Sequence, residues 1–101
     1  MNDTLHQGDV LRVEGLRHNV LVVSKDFFNM TEMAFVCPIF PQASADALHI
    51  AVHTKETEGY VLCEQLKLLD LRARGHKRVD HIGYDLRIDI SDAIQGIFDY
   101  L

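Results

Sequence analysis

The 101-residue sequence has no tryptophan, two prolines and two cysteines, and no apolar stretch approaching the roughly 20 residues that a membrane-spanning helix needs. A membrane partner is therefore not expected. The opening residues Met1 to Asp9 are polar and lack the basic-then-apolar layout of a secretory signal, so a cytoplasmic location is expected. Cys37 and Cys63 each sit inside an apolar, strand-like run, which suits reduced buried thiols better than a disulfide scaffold. They do not form a Cys-x-x-Cys motif, so no zinc site is expected. A basic surplus is missing too. The formal charge of −5 speaks against broad nucleic-acid binding, because counterion release on phosphate contact needs a basic surface. Any nucleic-acid site must be local.

What is present is an apolar fraction of 48% with 25% charged residues, the balance of an ordinary globular protein, and a length suited to one domain over residues 1–101. Val10 to Val13 reads as a short first strand bracketed by Gly8-Asp9 and Gly15. Val20 to Val23 is a continuous β-branched and leucine run, the pattern of a strand buried on both faces. Ala34 to Ile39 is a third run, expected to end at Pro38 and Pro41. After a loop over 42–47, Leu48, Ile50 and Val52 alternate with His49, Ala51 and His53, a strand with one face toward solvent. His49 and His53, four apart, are about 13 Å distant by strand rise, too far to share a metal, and are expected to face solvent. Another strand opens at Tyr60. Glu64 to Leu71 is ambiguous, and Arg72 to Arg78 reads as a turn at Gly75. Ser91 to Tyr100 reads as a helix capped by Ser91 or Asp89, with Ile94, Ile97, Phe98 and Leu101 on one face. The order of elements predicts a mainly β protein with a C-terminal helix, a small closed or partly open barrel.

The basic residues concentrate at Arg72, Arg74, His76, Lys77 and Arg78, either a local nucleic-acid contact or a solvated turn. Phe27 and Phe28 could stack on bases or serve as core or subunit contacts.

In chain order, Gly8-Asp9-Val10, Val20-Leu21-Val22-Val23-Ser24, Phe28-Asn29, Val36-Cys37-Pro38-Ile39 and Gly59-Tyr60-Val61-Leu62-Cys63-Glu64-Gln65 resemble the strand signatures of MazF/PemK toxins. Leu69 to Arg78, containing Ala73-Arg74-Gly75-His76-Lys77, resembles that family's "ARG-x-K" turn. The resemblance covers roughly residues 7 to 79. It implies an SH3-like β-barrel of the MazF/PemK/CcdB type and a homodimeric toxin with an antitoxin protein as partner. The implied activity is endonucleolytic cutting of single-stranded RNA with no metal or other cofactor. In such cleavage a base takes the 2′-hydroxyl proton, an acid protonates the leaving oxygen, and a cation steadies the phosphate.

The family's Arg-Pro at the second strand aligns with His18-Asn19, its Thr and Ser after the third strand with Phe40 and Pro41, and its Arg-x-Asp pair with Leu62 and Glu64. The resemblance, with these departures, nominates His18, Glu64 and Arg17 as catalytic candidates and Arg72, Arg74, Lys77 and Arg78 as RNA contacts. Losing one transition-state donor costs about a hundredfold in rate, so a weakened nuclease is expected. The alternative is a noncatalytic dimeric module binding RNA or antitoxin. Gyrase poisoning, as in the CcdB branch, would call for a C-terminal tryptophan that this chain lacks.

Overall fold

A computed structural model describes residues 4–44 and 46–99. Strands β1 (Asp9–Val13), β2 (Val20–Val22), β3 (Met33–Phe40), β4 (His49–His53), β5 (Glu58–Leu62), β6 (Lys67–Asp70) and β7 (His76–His81) surround a short helix α1 (Asp26–Asn29) and end in α2 (Tyr84–Phe98). All pairings are antiparallel, in the order β4-β5-β3-β2-β1-β7, with β6 also on β3. The sheet is barrel-like but open, with β4 and β7 at its edges among the described residues.

The long β3 is the spine. On one side it pairs with β2 through Val36, Cys37 and Pro38. On the other, Met33–Val36 pairs with β6 and Ile39-Phe40 with β5. Pro38 does not end the strand, contrary to the sequence expectation. Ile39 donates its N–H to the Asn19 carbonyl on the β2 side, so alternation turns the Pro38 nitrogen to the opposite edge, between the β5 and β6 ladders. No donor is needed there, which removes the usual objection to proline in a central strand.

Both faces of the sheet carry apolar residues, as the unbroken Val20–Val22 run anticipates. One cluster gathers Leu11, Val13, Val20, Val22, Ala34, Val36 and Leu69. The other gathers Val10, Leu21, Cys37, Ile39, Val52, Val61 and Ile82 under Ile90 of α2, with Leu86, Ala93 and Ile94 packed against it. Spacings of three and four residues put Leu86, Ile90, Ala93 and Ile94 on one helix stripe.

The helix thus begins at Tyr84, after Gly83, and Asp89 and Ser91 lie inside it rather than capping it. The first two turns carry no clear helical signal in the sequence because Tyr84, Asp85 and Arg87 dilute the apolar pattern. Ile97 and Phe98, expected on the packed face, are exposed, and Leu101 lies outside the described residues. Phe28-Asn29 falls in α1, where the Asn29 side chain binds the Leu5 and Ser24 carbonyls and the Ser24 hydroxyl. That buried network fixes the turn from β2 into β3. Residues 76–81, read in part as a turn, form an edge strand. No helix among the described residues is long and apolar enough to cross a membrane.

Candidate functional site

Residues directly opposite on a ladder share a face, and so do alternate residues of one strand. Phe40 faces Tyr60, Tyr60 faces Ala51, and Leu62 faces His49. Phe40, Tyr60, Ala51, Leu62 and His49 therefore lie on one face of β3-β5-β4, opposite the face whose Ile39, Val61 and Val52 enter the core under α2.

His18, in the β1–β2 loop, stacks on Phe40 with ring centroids 4.1 Å apart and planes inclined by 25°. The aromatic ring that replaces the family's hydroxyl thus has an imidazole as its partner. Arg17, beside it, is exposed. Phe40 also depends on Gly59 across the ladder. With φ +155°, Gly59 brings its backbone so close to the Phe40 carbonyl that any Cβ would collide with it.

Glu64 lies in the turn after β5, and the histidine it binds is His49 rather than His18, the pairing expected from the sequence. His49 Nε2 is 2.9 Å from Glu64 Oε2, and His49 Nδ1 is 2.8 Å from the Ser44 carbonyl oxygen. Asp46, whose Oδ1 accepts the backbone N–H groups of Leu48 and His49, sets the turn that presents the ring. The hydrogen bond to the Glu64 carboxylate raises the His49 pKa above its ordinary value, and the same bond lowers that of Glu64. His49 lies on the face away from the core, as expected, but Glu64 and the Ser44 carbonyl cover most of its ring and leave its side chain 20% exposed. Nothing in its local sequence links it to Glu64, because the contact depends on the β4–β5 register. Leu62, at the family's cationic column, is buried, and Gln65 is exposed.

The basic segment is not one patch. Arg72 is held by Asp70 through two hydrogen bonds of 3.0 Å, from Nε to Oδ1 and from Nη2 to Oδ2. Arg74 is exposed in the turn. On β7, Lys77 lies opposite Arg12 while Arg78 lies opposite Leu11, so strand alternation sends the two cations to opposite faces. Arg78 Nη1 lies 3.6 Å from the buried carboxylate of Asp9. Strand β7 is the opposite edge of the ladder from β4, and the two edges approach where the Thr54 hydroxyl donates to Asp80. Arg78 is paired with Asp9, and His49 with Glu64.

The two thiols are free and buried, Cys37 Sγ lying 3.8 Å from the Cys63 carbonyl oxygen. Phe28 stacks on Phe35 at 5.4 Å, whereas Phe27 is exposed. No group of three or more His, Cys, Asp or Glu side chains able to hold a metal ion occurs among the described residues.

An open antiparallel sheet spined by one long strand, with a terminal helix packed on one face, is the fold of a known class. The chain belongs to the PemK-like, MazF-like toxins of type II toxin-antitoxin systems, whose family model matches residues 8–98. A chain of the MazE-MazF crystal structure from Deinococcus radiodurans is similar, with a TM-score of 0.87 at 18% identity over 96% of this chain and 98% of that one. An endoribonuclease in complex with its cognate antitoxin, from a mycobacterial species, gives a TM-score of 0.81 at 16% identity over 93% and 94%. An endoribonuclease from a mycobacterial species gives 0.82 at 17% identity over 95% and 92%. These likenesses concern the fold. No curated protein sequence matches the chain.

Proposed function

We propose that this toxin-family protein is a metal-independent endoribonuclease that cuts single-stranded RNA. In this reading residues 1–101 act as one cytoplasmic domain, homodimeric and restrained by an antitoxin protein. The observation that carries the reading is the placement of the Glu64-bearing turn at the end of the strand whose face also carries Phe40, with His18 stacked on it. A stacked ring pair offers a platform for a base, and an exposed ionised carboxylate can take a proton. The proposed site is His18, Glu64 and Arg17: His18 with Phe40 holds a base, Arg17 steadies a phosphate, and Glu64 serves as base. Arg74, Lys77 and Arg78, with Arg72 if it leaves Asp70, would guide the RNA strand. The antitoxin complexes of structural relatives from Deinococcus and mycobacteria support a protein partner.

The test is incubation of purified protein with a long single-stranded RNA carrying every trinucleotide, in EDTA. Cuts at defined sites, lost in Glu64→Gln and weakened in His18→Ala, support the reading. No cleavage of any RNA removes it. A second reading, a noncatalytic dimeric module that binds RNA or antitoxin, is favoured by the apolar Phe40 at the family's hydroxyl position. Retained RNA binding with no cuts in the same assay would select it.

A further inference from the structure

His49 is held at both ring nitrogens. The Ser44 carbonyl oxygen, 2.8 Å from Nδ1, can only accept a hydrogen bond, so Nδ1 carries a hydrogen. In the neutral tautomer that this selects, Nε2 would turn a lone pair toward the Glu64 carboxylate, two acceptors face to face. The 2.9 Å contact therefore contains a second proton. It is either an imidazolium beside a carboxylate or a neutral imidazole beside a carboxylic acid. Two carboxyl groups face His49, Glu64 from the turn after β5 and Asp46, whose Oδ2 lies 3.5 Å from Nδ1, while Leu62 across the ladder is apolar. They favour the imidazolium, in keeping with the upward direction for His49 and the downward one for Glu64. With 20% and 38% of their side-chain surfaces exposed, both groups are open to a ligand.

We infer that His49 and Glu64 form a self-resetting acid–base pair for RNA phosphodiester cleavage, with His49 as the catalytic acid, an inference that rests on the nuclease reading above. An RNA strand displaces the bond between them, its 2′-hydroxyl binding Glu64 and its 5′-oxygen the Nε2–H of His49. The 2′-oxygen attacks phosphorus as its proton passes to Glu64, and the bond from phosphorus to the 5′-oxygen breaks as the Nε2 proton passes to that oxygen. The products are a 2′,3′-cyclic phosphate and a 5′-hydroxyl, with no electrons exchanged and no co-reactant. What remains is a carboxylic acid beside a neutral imidazole. Transfer of one proton across the re-formed bond restores the starting pair. His18 stacks on Phe40, whose strand lies two places from β4, roughly 10 Å by strand spacing, and it is His49, not His18, that touches Glu64.

The test compares wild type, His49→Gln, His49→Ala and Glu64→Gln on the long RNA and on uridine 3′-(4-nitrophenyl phosphate), whose leaving group needs no acid. Both His49 variants should lose about a hundredfold or more in kcat on RNA with little change in KM, and should lose the alkaline limb of the kcat–pH profile. They should keep near wild-type rates on the nitrophenyl ester, where Glu64→Gln remains slow. Equal losses on both substrates in a variant with an unchanged circular dichroism spectrum would reduce His49 to a structural role and overturn the inference. Wild-type rates on RNA in both His49 variants would overturn it while leaving the nuclease reading intact. Wild type inert on both substrates would end both. Nitrogen NMR of His49 supplies a second measurement: two protonated ring nitrogens at neutral pH support the pair, and one overturns it.

Discussion

The buried carboxylate of Asp9 accepts a hydrogen bond from His81 Nδ1 at 2.8 Å, fastening the first strand to the last. The same carboxylate accepts the His6 backbone N–H at 2.8 Å and has Arg78 at 3.6 Å. Asp9→Ala leaves those donors without their acceptor and should cost about 1–3 kcal/mol. Arg78→Ala, at a half-exposed position, should cost about 1 kcal/mol or less. Urea unfolding of the two variants checks the order.

Gly59 is the position where a single methyl group should disturb both fold and site. Its φ of +155° and the proximity of the Phe40 carbonyl leave no room for a side chain. Gly59→Ala is expected to destabilise by more than about 1 kcal/mol. Chemical-shift changes centred on Phe40 and His18 should accompany the loss, and their absence would show that the two strands separate easily.

The His49–Glu64 contact should stabilise the fold over a bounded pH range. The raised pKa of His49 gives a contribution fully present below its ordinary value of 6.5 and lost as pH rises through the folded value. The lowered pKa of Glu64 gives one present above 4.5 and lost as pH falls through the folded value. The Tm difference between wild type and His49→Gln should be largest between those two values and shrink on both sides. A difference independent of pH would mean that the ring acts by packing alone.

Asp80 should matter at the acid end. Burial pushes its carboxyl up, but the Thr54 hydroxyl and the His81 backbone N–H outweigh burial and leave the pKa below the ordinary 3.8. Its contribution is present above 3.8 and disappears as pH falls through the folded value. The stability gap between wild type and Asp80→Asn should therefore close on acidification, which a series of melts resolves.

The thiols of Cys37 and Cys63 are pushed up by burial to about 12 and about 11, respectively. At mildly alkaline pH both stay protonated and enclosed, so a disulfide thiol reagent should label neither in the native protein and both in urea. Rapid native labelling would place one of them in a region that opens easily.

Strand existence was largely legible, because Val20 to Val22 and Ile50 to Val52 carry their burial pattern in consecutive residues. Helix α2 was half legible. Its Ile94 end announces itself, but its anchor Ile90 and its entry after Gly83 make sense only against the sheet they cover. Pro38 carries the sequence signature of a strand end, yet a missing donor matters only where a neighbour needs it, and the β5 and β6 ladders leave that place vacant. Glu64 is legible by resemblance, whereas its partner His49 is not: fifteen residues separate the two, and only the hairpin register brings them together.

By itself, the sequence determined the strand-rich composition, the family and a negatively charged surface with few concentrated cations, since these depend on residue type and local spacing. Tertiary structure alone decided which histidine meets Glu64, that His18 rests on Phe40, and that Lys77 and Arg78 part to opposite faces. Those relationships follow from strand register, where a shift of one residue turns every side chain to the other face, and register is set by contacts between residues remote in the chain.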